Sequence, residues 1–260
     1  MAETANGRPE VVVTAEQGVM IVTINRPHAK NAVTLAVAEG VAAALDELDA
    51  RDDLAVGIIT GAGGTFCAGM DLKAFLRGER PTLPGRGFAG ITEAPPATPL
   101  IAAVEGYALA GGCEIVLACD MVTAGRDARF GIPEAKRGLV AAAGGLLRLP
   151  ERIPRAVAME LALTGGFLDA PRAYDLGLVN RLTDNGSALD EALELAHAIA
   201  ANGPLATRAS KRVIVESRGW PVEERFARQR EIIEPVMASE DAREGARAFA
   251  EKRRPNWQGR

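Results

Sequence analysis

The chain has 260 residues, of which 48% are apolar and 25% charged, and its formal net charge is −4. That much apolar material closes a large core, so a small disulfide-stapled module is excluded. Charges of both signs are interspersed and no dense Lys/Arg run precedes the C-terminal end, which leaves no electrostatic footprint for nucleic acid.

The first ten residues, MAETANGRPE, hold no basic stretch followed by an apolar one. Two β-branched runs, 11–15 and 19–24, flank Glu16-Gln17-Gly18 and predict an antiparallel hairpin. Thr34 is positioned to cap a helix over 34–49, because Leu35, Ala38, Val41, Ala42, Leu45 and Leu48 recur at three- and four-residue spacing. Residues 54–60 read as a buried strand. Residues 77–99 are rich in Gly and Pro with weak periodicity, and read either as a mobile loop bordering a substrate pocket or as a plain surface connection. A second cycle follows: strand 100–104, a glycine-rich bend, an apolar helix 111–118, and strand 121–124. Beyond Pro150 strand signals fade, and helices are predicted at 156–163, 171–176, 187–201, 205–217, 221–237 and 241–253. Alternating strands and helices with an antiparallel start point to an α/β fold with a mostly helical C-terminal third.

Several chemistries fail on residue type. Gly61-Ala-Gly-Gly-Thr-Phe66 follows a strand, but Phe66 stands where a dinucleotide loop needs a third small residue. The four serines, Ser187, Ser210, Ser217 and Ser239, lie late in the chain and outside any Gly-x-Ser-x-Gly elbow, which disfavours a Ser/His/Asp hydrolase. His28 and His197 are the only histidines and are far apart, so no catalytic zinc pair forms. Cys67, Cys113 and Cys119 are odd in number and sit among small apolar neighbours, as free thiols in a reducing cytoplasm do. No apolar run approaches the roughly 20 residues of a membrane helix, so a soluble cytoplasmic protein without a membrane partner is expected.

The surviving signal is Glu105-Gly-Tyr-Ala-Leu-Ala-Gly-Gly-Cys-Glu-Ile-Val-Leu-Ala-Cys-Asp120, a strand running through glycines into an apolar helix. Gly111 and Gly112 admit close approach of a ligand, and the first helical turn presents free N–H groups at the positive end of the dipole. Such a site suits an anion, including the enolate oxygen of a thioester. Glu114 is the lone charge between Glu105 and Asp120. A helical Glu is ordinarily solvated, but Ile115, Val116 and Leu117 beside it mark a carboxyl that is either paired or functional. Glu134, behind Pro133 in Phe130-Gly-Ile-Pro-Glu134, is either a first-turn helix Glu or the second member of a carboxyl pair that holds a water and moves protons. The loop Gly61 to Leu72 is a further glycine-rich turn with backbone donors to offer.

Taken together, Phe66-Cys-Ala-Gly-Met-Asp-Leu72, Gly106-Tyr-Ala-Leu-Ala-Gly-Gly-Cys-Glu114, Phe130-Gly-Ile-Pro-Glu134 and Gly144-Gly145 resemble, in order and spacing, the crotonase (enoyl-CoA hydratase/isomerase) family. Thr23-Ile-Asn-Arg-Pro27 with Asn31-Ala32, Leu163-Thr-Gly165 with Gly177-Leu-Val179, and Phe249-Ala-Glu-Lys252 extend the match over nearly the whole chain. The resemblance implies a spiral of ββα units over residues 1–200 carrying an acyl-CoA site, then a helical region over 201–260 that builds homotrimers, often paired into hexamers. It implies that Met70 and Gly111 supply the two oxyanion N–H groups, that Glu114 activates water, and that Glu134 handles the α-carbon proton. Ala68 and Leu72 would border the coenzyme A site, and Phe249 and Lys252 would reach a neighbouring subunit's nucleotide. The implied reaction is hydration of a trans-2-enoyl-CoA to a 3-hydroxyacyl-CoA or its reverse, with no cofactor beyond the coenzyme A of the substrate. The alternatives are enoyl-CoA isomerisation or another crotonase-type reaction, and an acyl-CoA-binding assembly subunit without turnover. Two departures from the usual hydratase pattern stand out: Ala110 replaces a common glycine, and Ala141-Ala142 stands in place of Pro-Gly.

Overall fold

A computed structural model describes residues 9–260, so most of the N-terminal segment read as free of a leader, residues 1–8, lies outside the described residues. Strands β1 (Val11–Glu16) and β2 (Val19–Ile24) form the expected hairpin, with Val11 opposite Ile24 and Glu16 opposite Val19. Its turn, Gln17-Gly18, has positive φ at both positions, which matches the twist of the strands it joins. Helix α1 (Leu35–Ala50) starts where the hydroxyl of Thr34 accepts the Val37 N–H at 3.2 Å, and it buries Val37, Ala38, Val41, Leu45 and Leu48. It carries the chain back to β3 (Val56–Gly61), which pairs parallel to β2.

After the short α2 (Leu72–Leu76), strands β4 (Thr82–Leu83) and β5 (Gly87–Phe88) make a small hairpin. This segment is packed in place. Phe88, Ala89, Gly90, Ile91 and Thr92 are buried, and Arg86 donates to the carbonyls of Gly90 and Ala42. The mobile loop expected from its Gly and Pro content is therefore a wall against α1, held by contacts that local periodicity does not encode.

Next come β6 (Leu100–Val104), β7 (Tyr107–Leu109), α3 (Gly111–Ala118), β8 (Met121–Gly125) and β9 (Arg129–Gly131). A 3-10 turn at Pro133–Arg137 leads to α4 (Gly145–Arg152) and α5 (Arg155–Thr164). Two strands follow where strand signals had faded: β10 (Leu168–Asp169) and, after α6 (Ala170–Asp175), β11 (Arg181–Thr183). Strands of two and three residues are too short to show alternation. The chain ends in α7 (Ala188–Ala200), α8 (Pro204–Glu216), α9 (Arg225–Met237) and α10 (Glu240–Glu251). Among the described residues, no helix is long and apolar enough to cross a membrane.

The strands make two main layers. The larger sheet has the order β1-β2-β3-β6-β8-β11, parallel except for β1, and the smaller has the order β10-β9-β7. The turns β6-β7-α3 and β8-β9-α4 each lay a strand in the large sheet, a short strand in the small one and then a helix, and the β3 turn contributes only the Cys67 bridge to Ala108 in place of a small-sheet strand; this is the expected spiral of ββα units. Both faces of the large sheet are covered, so its strands read as continuous apolar runs; all five residues of β6 are buried. Ile59, Leu100 and Ala102 face the main core with α1 and α3, while Val56, Ile58, Ile101 and Ala103 face Ala192 and Ala196 of α7. Each fully buried Ile or Leu here contributes about 1.5–3 kcal/mol.

The C-terminal helices are tied to this core by Lys211 of α8. Its ammonium lies 2.6 Å from Asp120 Oδ2 and donates to the Thr98 carbonyl at 3.0 Å, while Asp120 also accepts the Leu100 N–H at 2.7 Å.

Candidate active site

The small sheet brings two loops together. Cys67 bridges to Ala108 of β7: the Cys67 N–H donates to the Tyr107 carbonyl at 2.8 Å, and the Leu109 N–H donates to Cys67 O at 3.0 Å. The loop from Cys67 to Asp71 is therefore zipped along β7 just before the chain enters α3. Its other side is fixed by Val33, whose N–H donates to Gly69 O at 2.8 Å and whose carbonyl accepts the Asp71 N–H at 3.0 Å. A Cβ on Gly69 would lie 3.3 Å from the Gly111 nitrogen, so the Met70 loop and the start of α3 are in direct apposition. Gly112 shows why the helix must open on glycine: any Cβ there would collide with the Cys67 carbonyl.

Among the described residues, neither the Met70 nor the Gly111 N–H is donated to a protein acceptor. Both expected donors are thus left without a protein acceptor, on two segments that meet at Gly69 and Gly111. Ala110 caps α3 at φ 52° and ψ −128°, a conformation that favours glycine, so the Ala-for-Gly departure places strain immediately before Gly111. Ala68 and Leu72 lie on the same loop; Ala68 is half-buried, with its N–H donated to Lys30 O at 3.0 Å, and Leu72 is exposed as the first residue of α2.

Behind the loop, a buried charge network holds it. Arg26 lies 3.0 Å from Glu10 and 3.1 Å from Asp71, and Asp71 in turn caps α2 through the Lys73 and Ala74 N–H groups. Asn31 accepts the Arg26 N–H at 2.8 Å and donates to the carbonyls of Ala62 and Thr65. The Asn-Arg-Pro and Asn-Ala segments near the N-terminus thereby become supports of the Met70 loop.

Glu114 lies one turn into α3 and is only 3% exposed. Its Oε1 accepts the Ala143 N–H at 2.7 Å and the Gly145 N–H at 2.9 Å. The turn carrying Ala141-Ala142 still delivers both donors, so the replacement of Pro-Gly leaves this clasp intact. Gly145 is required there, since a Cβ would sit 3.0 Å from Glu114 Oε1 and 3.1 Å from its Cγ. Burial pushes the Glu114 carboxyl above the usual range, opposed by the two N–H groups and by the positive charge of Arg148.

Glu134 reaches the same place by a different route. Ala110 N–H donates to Gly131 O at 2.9 Å, which ties the start of α3 to the end of β9, and Pro133 then turns the chain into the 3-10 helix that bears Glu134. Burial also raises the Glu134 carboxyl, and the charge of Glu114 raises it further. Its Oε2 is buried with no hydrogen-bond partner, in contrast to the doubly bonded Glu114. The Cys113 thiol, between them in the fold, is pushed up to about 12, mainly by burial and further by both carboxyls, so it is not a nucleophile at neutral pH.

Sequence reasoning assigned no role at the site to four residues. Phe88 covers Gly111, where a Cβ would collide with its ring; Ala143 and Gly145 supply the N–H clasp; and Arg148 of α4 places a guanidinium beside it. The Gly144-Gly145 pair was the one visible trace of the clasp. Phe249 and Lys252 lie elsewhere, on and just after α10, which packs on α9. Phe249 is 89% exposed and Lys252 is exposed too.

Residues 14–260 match the family model described as enoyl-CoA hydratase/isomerase. The chain is 43% identical to the enoyl-CoA hydratase EchA19 of Mycobacterium tuberculosis, over 99% of each chain. It is 42% identical to a carnitinyl-CoA dehydratase of Salmonella paratyphi A, over 95% of this chain and 98% of the other. A crystal structure of an enoyl-CoA hydratase from Mycobacterium tuberculosis H37Rv superposes with a TM-score of 0.96 at 62% identity, covering 97% of this chain and all of that one. Matched by the family model over residues 14–260 and by relatives and a solved structure over nearly its whole length, the chain belongs to the enoyl-CoA hydratase/isomerase family.

Proposed function

We propose that the protein is a hydro-lyase that adds water across the double bond of a trans-2-enoyl-CoA to give a 3-hydroxyacyl-CoA, or catalyses the reverse. The observation that carries this reading is the difference between the two carboxyls. Burial raises both carboxyls, but at Glu114 two accepted N–H bonds and a nearby guanidinium oppose that rise, whereas Glu134 has an orphaned buried oxygen and the charge of Glu114 adds to its rise. In the hydration direction, Glu114 takes a proton from water as its oxygen attacks C3, and Glu134 delivers a proton to C2. The negative charge that develops on the thioester oxygen is received by the Met70 and Gly111 N–H groups. The pair then returns to its starting charge by proton exchange with solvent. Two relatives whose names include a hydratase and a dehydratase support this reaction class.

The chemistry draws on side chains, backbone donors and the coenzyme A of the substrate, and calls for no further cofactor. Ala68 and Leu72 flank the loop that lines the coenzyme A site. The helices over 201–260 form the contacts of a trimer or hexamer, in which the exposed Phe249 and Lys252 reach a neighbour's nucleotide. The three buried thiols suit a reducing cytoplasm.

The test is hydration and isomerisation measured over a ladder of enoyl-CoA chain lengths, with a carnitinyl-type thioester included, alongside light scattering. Turnover with water incorporation in at least one thioester supports the reading. Isomerisation without hydration across the panel overturns it, and a monodisperse monomer at micromolar concentration overturns the assembly.

A further inference from the structure

Glu114 is held by a turn that is itself held by something. The turn from Ala143 to Gly145 opens α4, and on the next turn of that helix Arg148 directs its guanidinium back over it: a Cβ on Gly144, which has φ 95°, would collide with Arg148 Nη1. The other arm of the guanidinium, Nη2, donates to the Thr92 carbonyl at 2.6 Å. Thr92 belongs to the packed wall that follows β5, the same wall whose Phe88 ring covers Gly111. One side chain therefore links the wall beside one proposed oxyanion donor to the turn that clasps the proposed base.

We propose that Arg148 is a positioning residue for Glu114: anchored on Thr92 O, it fixes the Ala143–Gly145 clasp and places a positive charge beside the Glu114 carboxyl. The two effects have different origins. The anchor needs a donor that reaches Thr92 O, and the field needs only a charge. Glu114 needs that charge because burial works against its ionised form, and Arg148 is the cation that lowers it. The surroundings agree with this assignment. Facing Glu114 are Glu134 from the 3-10 turn, which adds negative charge, and Cys113 from its own helix, which stays neutral. Arg148 is in turn balanced by Glu151 and opposed by Arg152 and Arg218, while Glu151 also pairs with Arg218. Burial, more than these neighbours, lowers the proton affinity of the half-buried guanidinium, which remains charged throughout the working range.

The experiment separates anchor from field. Arg148→Gln keeps a donor for Thr92 O and removes the charge; Arg148→Lys keeps the charge and loses the planar fork. Arg148→Met is a second neutral variant in case the glutamine protein does not fold, and each is read only where circular dichroism matches wild type. The first readout is the carboxyl titration of Glu114 by carbon NMR in glutamate-labelled protein, assigned by its loss in Glu114→Gln and treated as part of a coupled pair with Glu134. The second is the acid limb of kcat/KM for hydration.

Removing a positive charge favours the protonated carboxyl. The titration of Glu114 should therefore move to higher pH in Arg148→Gln and Arg148→Met, and stay near wild type in Arg148→Lys. The ratio of kcat/KM at the acid edge to that on the plateau should fall by about threefold or more in the neutral variants. A lysine variant should recover that ratio while losing plateau rate through the looser clasp. An unmoved Glu114 titration in a folded neutral variant overturns the inference. Only the kinetic arm rests on the proposed hydration mechanism. If the titration moves and the acid limb does not follow, the role of Arg148 stands and the water-activating role of Glu114 falls.

Discussion

Replacing Glu114 in two ways separates its chemical from its structural contribution. Glu114→Gln keeps the side-chain length and an amide oxygen able to accept the Ala143 and Gly145 N–H bonds now made at 2.7 and 2.9 Å. It also removes a carboxylate whose burial is unfavourable. Its stability should stay within about 1 kcal/mol of wild type. Glu114→Ala instead leaves two donors without an acceptor, one of them fully buried at Gly145, at about 1–3 kcal/mol each, and opens a cavity beside Ile132. A loss of about 2–5 kcal/mol follows. Both variants lose the proposed base, so enoyl-thioester hydration should fall about a hundredfold to ten-thousandfold in each. Urea melts give the stabilities, and the decay of enoyl-thioester absorbance gives the rates. The reasoning is refuted if folded Glu114→Gln hydrates at the wild-type rate, or if the alanine variant proves as stable as the glutamine one.

Further perturbations test the rest of the site. Gly111→Pro removes one free N–H and should cost turnover about a hundredfold or more with a smaller change in acyl-CoA affinity, read by steady-state kinetics on protein whose circular dichroism is native. Ala110→Gly relieves the strained backbone at φ 52°; strain relief of about 1–3 kcal/mol against about 0.4–1 kcal/mol of added chain entropy predicts a net gain near 1 kcal/mol, and a comparable loss in a thermal melt contradicts it. Lys211→Met strands the partly buried Asp120 carboxylate and should destabilise by about 1–3 kcal/mol, loosening α8 from the core before the sheet unfolds, as hydrogen exchange would show.

The legible parts of this molecule are those where one local signal suffices. Helix α3 was bounded correctly because glycines open it and an apolar run fills it, and Glu114 stood out as the single charge in that run. Helix α1 announced itself through Thr34 and a regular apolar stripe. The small sheet was not legible: β7, β9 and β10 are two or three residues long, and β7 hides in what reads as a glycine-rich bend. That sheet is what brings Cys67 beside Ala108 and so Met70 beside Gly111. The convergence of Glu134 on Glu114 followed from family resemblance, since the two are twenty positions apart with two strands between them. The clasp from Ala143 and Gly145, the Phe88 cover and Arg148 depend on contacts across distant segments, for which composition and periodicity carry no signal. The same holds for residues 77–99, whose Gly and Pro content suggested freedom while Phe88 and Ile91 are anchored in the core.

The division of labour between the carboxyls is tested most directly by following the α-protons of a bound saturated acyl-CoA in deuterated solvent, where no water addition occurs. Glu134→Gln should lose solvent exchange of those protons by about a hundredfold or more, while Glu114→Gln retains part of it. Wild-type α-proton exchange in folded Glu134→Gln would contradict the assignment of that proton to Glu134, and with it the two-carboxyl mechanism.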